Sequence, residues 1–119
     1  MKKLFLFVLV SSMMSLAGKA QTKAQMTAKI STPTVQCDMC KKRIEELLKR
    51  YDGVLMVNVN YRKKETTVKY LTDRTNIENI KTAIANAGYD ADNIAANEQV
   101  YEALPKCCKK PPENPAKKQ

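Results

Sequence analysis

The stretch that decides the fold reads Thr34-Val35-Gln36-Cys37-Asp38-Met39-Cys40 and continues directly as Lys41-Lys42-Arg43-Ile44-Glu45-Glu46-Leu47-Leu48-Lys49-Arg50-Tyr51. Its second half has apolar residues at the spacing i, i+3, i+4 and i+7, which predicts an amphipathic helix with one buried face. That face carries Ile44, Leu47, Leu48 and Tyr51. We place Cys40 in or just before the first turn of this helix and Cys37 in the loop that leads into it.

The two cysteines therefore lie near the amino end of the helix, where backbone amides are unpaired and the helix dipole is positive. This field favours thiolate over thiol and lowers a cysteine pKa from about 8.5 into the range of about 3.5–7.5. The thiolate is the form that binds soft metal ions and also the form that exchanges disulfides. Cys37 and Cys40 thus indicate one of two chemistries, soft-metal binding or thiol–disulfide exchange.

Strands and a second helix are predicted around this first helix, in the order βαββαβ. The strands are Met26–Val35, Val54–Asn60, Glu65–Tyr70 and Tyr89–Ile94, and the second helix runs from the N-cap Thr75 to Gly88. The second and third strands are joined by a short polar turn and form an antiparallel hairpin. This order predicts an α+β fold, a ferredoxin-like βαββαβ sandwich with two helices on a four-stranded antiparallel sheet.

The two ends of the chain differ in composition from the central part, residues 26–96, which we assign to the folded domain. Residues 1–20 have the charged start, short apolar run and small residues of a signal peptide. The run is too short to span a bilayer, so we expect no membrane span after cleavage and a periplasmic or secreted protein. Residues 97–119 are predicted to form a short helix capped by Asn97 and, after Pro105, a flexible tail rich in Cys, Lys and Pro.

Composition narrows the function further. The chain of 119 residues suits one small domain, and it contains no histidine, which excludes Ser-His-Asp and Cys-His catalysis and imidazole metal ligands. The net charge of +9 comes from scattered lysines, and few aromatic residues are available to stack on bases. We therefore expect a monomer that is not an enzyme and has no nucleic acid partner.

The order of elements and several short motifs resemble the heavy-metal-associated (HMA) domain family. The motifs are CxxC at the first loop–helix junction, Asp52-Gly53-Val54 after the first helix and Gly88-Tyr89 after the second. Together they cover Lys29 to Ile94, and the chain is most similar to the family's periplasmic mercury-binding proteins and copper chaperones.

The resemblance implies that Cys37 and Cys40 are paired metal thiolates and that Tyr89 lies beside the metal loop. It implies a partly exposed site for Cu(I) or Hg(II), or a thiolate-rich site for Zn(II) or Cd(II). The sequence departs from the family at Thr34-Val35-Gln36, which replaces the usual Gly-Met-x, so the buried methionine that supports the loop is missing unless Val35 substitutes for it.

We interpret the chain as an exported protein that sequesters or transfers a soft metal ion through Cys37 and Cys40 by thiolate ligand exchange. Cu(I) is the leading ion, with Hg(II) and Zn(II) as the others, because sulfur ligands select soft ions over Ca²⁺ and Mg²⁺. The expected partner is a membrane metal transporter or another metal-binding domain. The alternative is a periplasmic thiol–disulfide oxidoreductase that uses the same CxxC pair.

Cys107 and Cys108 leave three roles open. They supply third and fourth thiolates to a site suited to Zn(II) or a copper cluster, they bridge back to Cys37 or Cys40 as a disulfide, or they form a separate capture pair. Met39 inside the CxxC motif is either a further soft ligand or, in the interpretation we favour, a side chain packed on the core.

Overall fold

The computed structural model describes residues 24–110. The predicted signal peptide, residues 1–20, and the end of the predicted tail, residues 111–119, lie outside the described residues. The elements, in chain order, are β1 (Gln25–Ser31), α1 (Asp38–Lys49), β2 (Val54–Asn60), β3 (Glu65–Leu71), α2 (Ile77–Asn86), α3 (Glu98–Glu102) and a 3₁₀ helix (Lys106–Cys108). Within residues 24–110 no helix is long and apolar enough to cross a membrane.

The strands form an antiparallel sheet in the order β1-β3-β2, so the hairpin strand β3 lies at its centre. Alternate side chains of each strand point to the same face, and Val57 and Ala28 flank Val68 on the inner face. Both long helices pack there, and Ile44, Leu48, Ile80 and Ile84 are fully buried against the sheet. The α+β, ferredoxin-like arrangement predicted from the sequence is therefore present, with one two-layer core.

The predicted fourth strand is wrong for residues 89–94, and the described residues contain three strands. Ala91 and Ile94 close a tight turn instead, and Asp92 has a positive φ of 49°. Asp92 fastens this turn to the end of β1, since its backbone N–H donates to Ser31 O (2.9 Å) and its Oδ1 accepts from Ser31 N (2.7 Å). The Asp92 carboxylate accepts the hydrogen bond from Ser31 N–H, a donor that a fourth strand would have bonded. Aspartate is also a poor strand former.

The buried face of α1 also differs from the prediction. Ile44 and Leu48 are fully buried, but Leu47 is 39% exposed and Tyr51 is 38% exposed. Cys40 completes the buried face one turn before Ile44. Leu47 and Tyr51 instead line a groove between α1 and α2, because the α2 side chains on the opposite wall are the small residues Ala83 and Ala87.

Asn76, not Thr75, is the N-cap of α2. The Asn76 Oδ1 accepts a hydrogen bond from Asn79 N at 2.9 Å, which satisfies one of the free amides of the first turn. Thr75 is buried beside Gly53, and its hydroxyl has no hydrogen-bond partner among residues 24–110. Packing of Thr75 on the turn after α1 therefore overrides the capping role that its position suggested.

The chain after α2 folds back along the domain. Asn97 caps α3 as predicted, accepting from Val100 N at 3.1 Å, and its own N–H donates to Ala85 O at 2.8 Å. Gly88 has a positive φ of 96°, and a Cβ there would lie 3.2 Å from both Tyr101 N and Leu104 Cδ1. Glycine thus lets α3 lie directly on the end of α2.

This packing carries the 3₁₀ helix into the structure. Leu104 is 5% exposed and Cys108 is fully buried, and the backbone N–H of Cys108 donates to Pro105 O at 2.9 Å. The prediction that the chain is flexible directly after Pro105 is therefore wrong for Lys106–Cys108. The proline and lysine content of this segment predicted a flexible chain. The buried Leu104 and Cys108 instead hold the turn in place.

Candidate metal centre

Cys37 and Cys40 lie at the amino end of α1, as the sequence predicted. Cys37 is the N-cap residue with an extended backbone, and Cys40 is in the first turn. Their Sγ atoms are 3.3 Å apart. Cys37 is half-buried and Cys40 is fully buried, so the pair spans the boundary between the core and the surface.

The loop before Cys37 is held by contacts from distant parts of the chain. Lys64, in the turn between β2 and β3, donates from Nζ to Val35 O and to Gln36 Oε1 (3.3 Å). Thr34 Oγ1 accepts from Asp90 N at 2.8 Å. Val35 is fully buried in the core cluster. The sequence around Lys64 does not indicate that this residue supports the loop. Its role depends on a positive φ of 57° and on the reach of its side chain across the sheet.

All four cysteines meet at this loop. Cys40 forms a disulfide with Cys108 from the 3₁₀ helix. The remaining thiols, Cys37 and Cys107, have their Sγ atoms 2.8 Å apart. Cys37 Sγ is also 3.9 Å from Cys108 Sγ, and the two tail sulfurs are 3.9 Å from each other. Of the three roles left open for the tail, the structure thus shows the bridge to Cys40, and it places the second tail thiol at the same centre.

A fifth sulfur lies at the edge of this cluster. Met39 Sδ is 4.0 Å from Cys107 Sγ, and the Met39 side chain is 49% exposed. The interpretation that Met39 packs on the core is therefore wrong. Because the helix directs the Cys40 side chain inward, the side chain of the preceding residue, Met39, points outward, toward the tail.

The two free thiols have opposite pKa shifts. Burial opposes ionisation of Cys37, but hydrogen bonding with the Cys107 thiol and with the backbone amides of Cys40 and Met39 outweighs it and lowers the pKa of Cys37. The hydrogen bond to Cys37, together with burial and the charge of Cys37, raises the pKa of Cys107. Cys37 is therefore the first thiolate to form in this state of the protein.

Tyr89 lies beneath the thiols, close to the position that the family resemblance implied. It is fully buried, and burial, followed by weaker effects that include the nearby charges of Cys37 and Cys107, raises its pKa to about 12. Its hydroxyl has no hydrogen-bond partner within residues 24–110. The Arg43 guanidinium is close enough to oppose this rise in the pKa of Tyr89. Tyr89 is thus a neutral donor without an acceptor, next to a cluster of sulfurs.

This arrangement has two chemical states. With the Cys40–Cys108 disulfide formed, two thiols remain, one of them with a lowered pKa. After reduction, four thiols share one small volume, and Cys37, Cys40 and Cys108 have sulfurs within 4.8 Å of one another. Thiolates at this density are ligands for soft or borderline metal ions.

The fold and the site define a class: a small α+β domain that presents a CxxC thiol pair at a helix amino terminus for soft-metal binding. The family model named "Heavy-metal-associated domain" matches residues 29–90, just over half of the 119 residues. The chain belongs to this family.

Individual relatives agree with this assignment. A copper-exporting P-type ATPase of Staphylococcus epidermidis is 38% identical over 62 residues, which are 52% of this chain but only 8% of the ATPase. Oxidised MerP from Ralstonia metallidurans CH34 superposes with a TM-score of 0.55 at 25% identity, over 58% of this chain and 96% of MerP. The CopZ metallochaperone superposes with a TM-score of 0.54 at 27% identity, over 56% of this chain and 98% of CopZ. The chain is thus similar to a small segment of the ATPase and to nearly all of the two small proteins.

Proposed function

We propose that the protein is an exported carrier that binds Cu(I) through Cys37 and Cys40 and passes it on by thiolate ligand exchange. The observation that carries this proposal is the pair of sulfurs 3.3 Å apart at the amino end of α1, in a domain of the heavy-metal-associated family. Because Cys37 is half-buried at the surface, an incoming thiolate from a partner can reach a bound ion.

The choice of Cu(I) is supported by the donor atoms and by the relatives. The chain has no histidine, so sulfur must supply the soft ligands, and thiolates select Cu(I) strongly. The similar ATPase is a copper exporter by name, and CopZ is a metallochaperone. We propose a membrane metal transporter or a second metal-binding domain as the partner, since either offers thiolates to receive the ion. Hg(II) is the second choice of ion, because MerP is also similar.

Export is part of the proposal and rests on residues 1–20, with their lysines, short apolar run and small residues before Ala17 and Ala20. The expected mature protein begins after one of these alanines and is periplasmic or secreted. N-terminal sequencing of protein recovered outside the cytoplasm measures this, and an intact Met1 there would contradict it.

The metal ligands are tested in a background that carries Cys107→Ser and Cys108→Ser, so that only the CxxC thiols remain. In this background we expect Cys37→Ser or Cys40→Ser to lower Cu(I) affinity by more than about a hundredfold, beyond what loss of an outer-shell partner costs. The reason is that one thiolate cannot hold the ion against a competing chelator. Anaerobic titration of the reduced proteins against a chromogenic Cu(I) chelator gives the affinities.

Lys42→Ser is the matched control, because Lys42 is exposed on α1 and close in sequence to both cysteines. It is expected to leave Cu(I) affinity unchanged. Circular dichroism of every variant checks that the fold remains. Undiminished Cu(I) affinity in both cysteine variants would refute the proposed carrier.

One observation favours a second candidate, a thiol–disulfide oxidoreductase. The Cys37 thiol, with its lowered pKa, lies 3.3 Å from a sulfur of the Cys40–Cys108 disulfide. A thiolate in this place attacks a disulfide sulfur by exchange. The discriminating measurement is the rate at which a dithiol reduces a protein disulfide such as insulin. A metal carrier leaves this rate unchanged, whereas an acceleration that disappears in Cys37→Ser would identify the oxidoreductase.

A further inference from the structure

Specific contacts along the returning chain hold the 3₁₀ helix beside the metal loop. Asn97 N–H bonds to Ala85 O, and Leu104 packs on Gly88. After the turn, the chain is held again, since Lys110 N donates to Tyr101 Oη at 2.9 Å. These contacts do not involve the disulfide, so they also favour the same position for the tail thiols when the disulfide is reduced.

From this placement we propose that, in the reduced protein, Cys107 and Cys108 join Cys37 and Cys40 in a closed four-sulfur site for a tetrahedral ion, Zn(II). This inference rests on the proposed function, because it extends the same pair of ligands. It adds two ligands from outside residues 29–90, the segment that the family model matches. A four-thiolate site holds an ion in storage or regulation, whereas an open pair transfers it.

The sulfurs of Cys37, Cys40 and Cys108 already lie within 4.8 Å of one another, and Cys107 must move closer to Cys40 to complete a zinc tetrahedron. With Zn–S bonds of about 2.3 Å, the edge of a regular tetrahedron of sulfurs is about 3.8 Å. Three of the sulfur–sulfur distances are 3.3 Å (Cys37–Cys40), 3.9 Å (Cys37–Cys108) and 3.9 Å (Cys107–Cys108). The Cys37–Cys107 distance of 2.8 Å must open by roughly an ångström, and reduction of the disulfide must release the Cys40–Cys108 edge. Rotation about χ1 of the exposed Cys107 allows the first change, and the second follows from cleavage of the S–S bond between the two buried cysteines.

The surroundings also suit a cluster with excess negative charge. Four thiolates and one Zn(II) carry a net charge of about −2, which hydrogen-bond donors and cations stabilise. The buried Tyr89 hydroxyl has no acceptor in residues 24–110, and Arg43 lies beside it. The Tyr89 hydroxyl is therefore a donor near the site that makes no hydrogen bond within residues 24–110.

The test compares Cys107→Ser/Cys108→Ser with Lys106→Ser/Lys109→Ser, a control that alters the same turn but keeps both thiols. Each full-length protein is reduced and titrated anaerobically with Zn(II) against a chelator, and native mass spectrometry counts the bound ions. We expect the thiol variant to lose Zn(II) affinity by at least about a thousandfold, because a site of this kind draws its affinity from all four ligands. In the lysine control, the Zn(II) affinity is expected to change by less than about tenfold.

Cu(I) is titrated in parallel, and its affinity in the thiol variant is expected to fall by less than about tenfold, since two thiolates suffice for this ion. Equal Zn(II) affinities in the thiol variant and the lysine control would overturn the four-sulfur site while leaving the Cu(I) carrier intact. Retained Cu(I) affinity after Cys37→Ser and after Cys40→Ser, each in the Cys107→Ser/Cys108→Ser background, would overturn the carrier separately. Circular dichroism of the reduced proteins separates loss of ligands from loss of fold.

Discussion

Mild oxidation of the Cys107→Ser variant is expected to lower its Cu(I) affinity by more than about a hundredfold, and treatment with a dithiol is expected to restore it. The reason is that Cys40, one of the two proposed ligands, is tied to Cys108 in the oxidised state. A disulfide sulfur is not a thiolate, and only the thiolate is a strong ligand. In the wild type Cys37 would still have the Cys107 thiol 2.8 Å away as a second Cu(I) ligand, and the Cys107→Ser variant leaves Cys37 as the one free thiol of the oxidised protein.

Reduction supplies two electrons and two protons to the Cys40–Cys108 bond, which becomes two thiols, while the dithiol reductant becomes a disulfide. Mass spectrometry after alkylation checks each state of the variant: one modified cysteine before reduction and three after it. Re-reduction of the oxidised sample is the control for irreversible damage. Oxidised protein that contains the mapped disulfide and still binds Cu(I) as tightly as the reduced protein would contradict the expectation.

Local sequence signals were sufficient for the hairpin and for the start of the first helix. Strand β2 has the predicted bounds, and β3 ends one residue later than predicted, at Leu71. Both strands could be predicted because β-branched residues alternate with polar ones over these segments. Cys37 and Cys40 fall at the predicted helix start, since the periodicity of the following residues fixes where the helix begins. The family resemblance was confirmed by the match over residues 29–90.

Features that depend on contacts between distant residues could not be predicted in this way. Lys64 bonds to Val35 across 29 positions, and Cys108 meets Cys40 across 68. The sequence around Cys108 is rich in proline and lysine, which indicates flexibility when no partner is known. The partner is the end of α2, which accepts the returning chain at Gly88, and this only becomes visible in three dimensions.

The thermal stability of the protein is also expected to depend strongly on redox state. The Cys40–Cys108 disulfide closes a loop with a sequence separation of 68, which covers most of the folded domain. Closing a loop of this length removes chain entropy from the unfolded state and stabilises the fold by up to about 4 kcal/mol. For a domain of this size, the reductant is then expected to lower Tm by up to about 15–30 °C. Thermal unfolding followed by circular dichroism, with and without a metal-free reductant, measures the difference.

The double variant Cys107→Ser/Cys108→Ala is the matched control for this measurement, because Cys107, 2.8 Å from Cys37, is removed as an alternative bridge to the loop. Cys40 and Cys108 are both fully buried, so the alanine leaves a small side chain in the same packing while removing the bridge. Any disulfide that this variant forms between Cys37 and Cys40 closes a loop of only a few residues, which contributes much less chain entropy. The Tm of this double variant should therefore be nearly independent of reductant and close to that of the reduced wild type. An equal Tm for wild type in both redox states would show that the bridge between the tail and the metal loop does not stabilise the fold, and that the packing of Leu104 on Gly88 alone holds the tail in place.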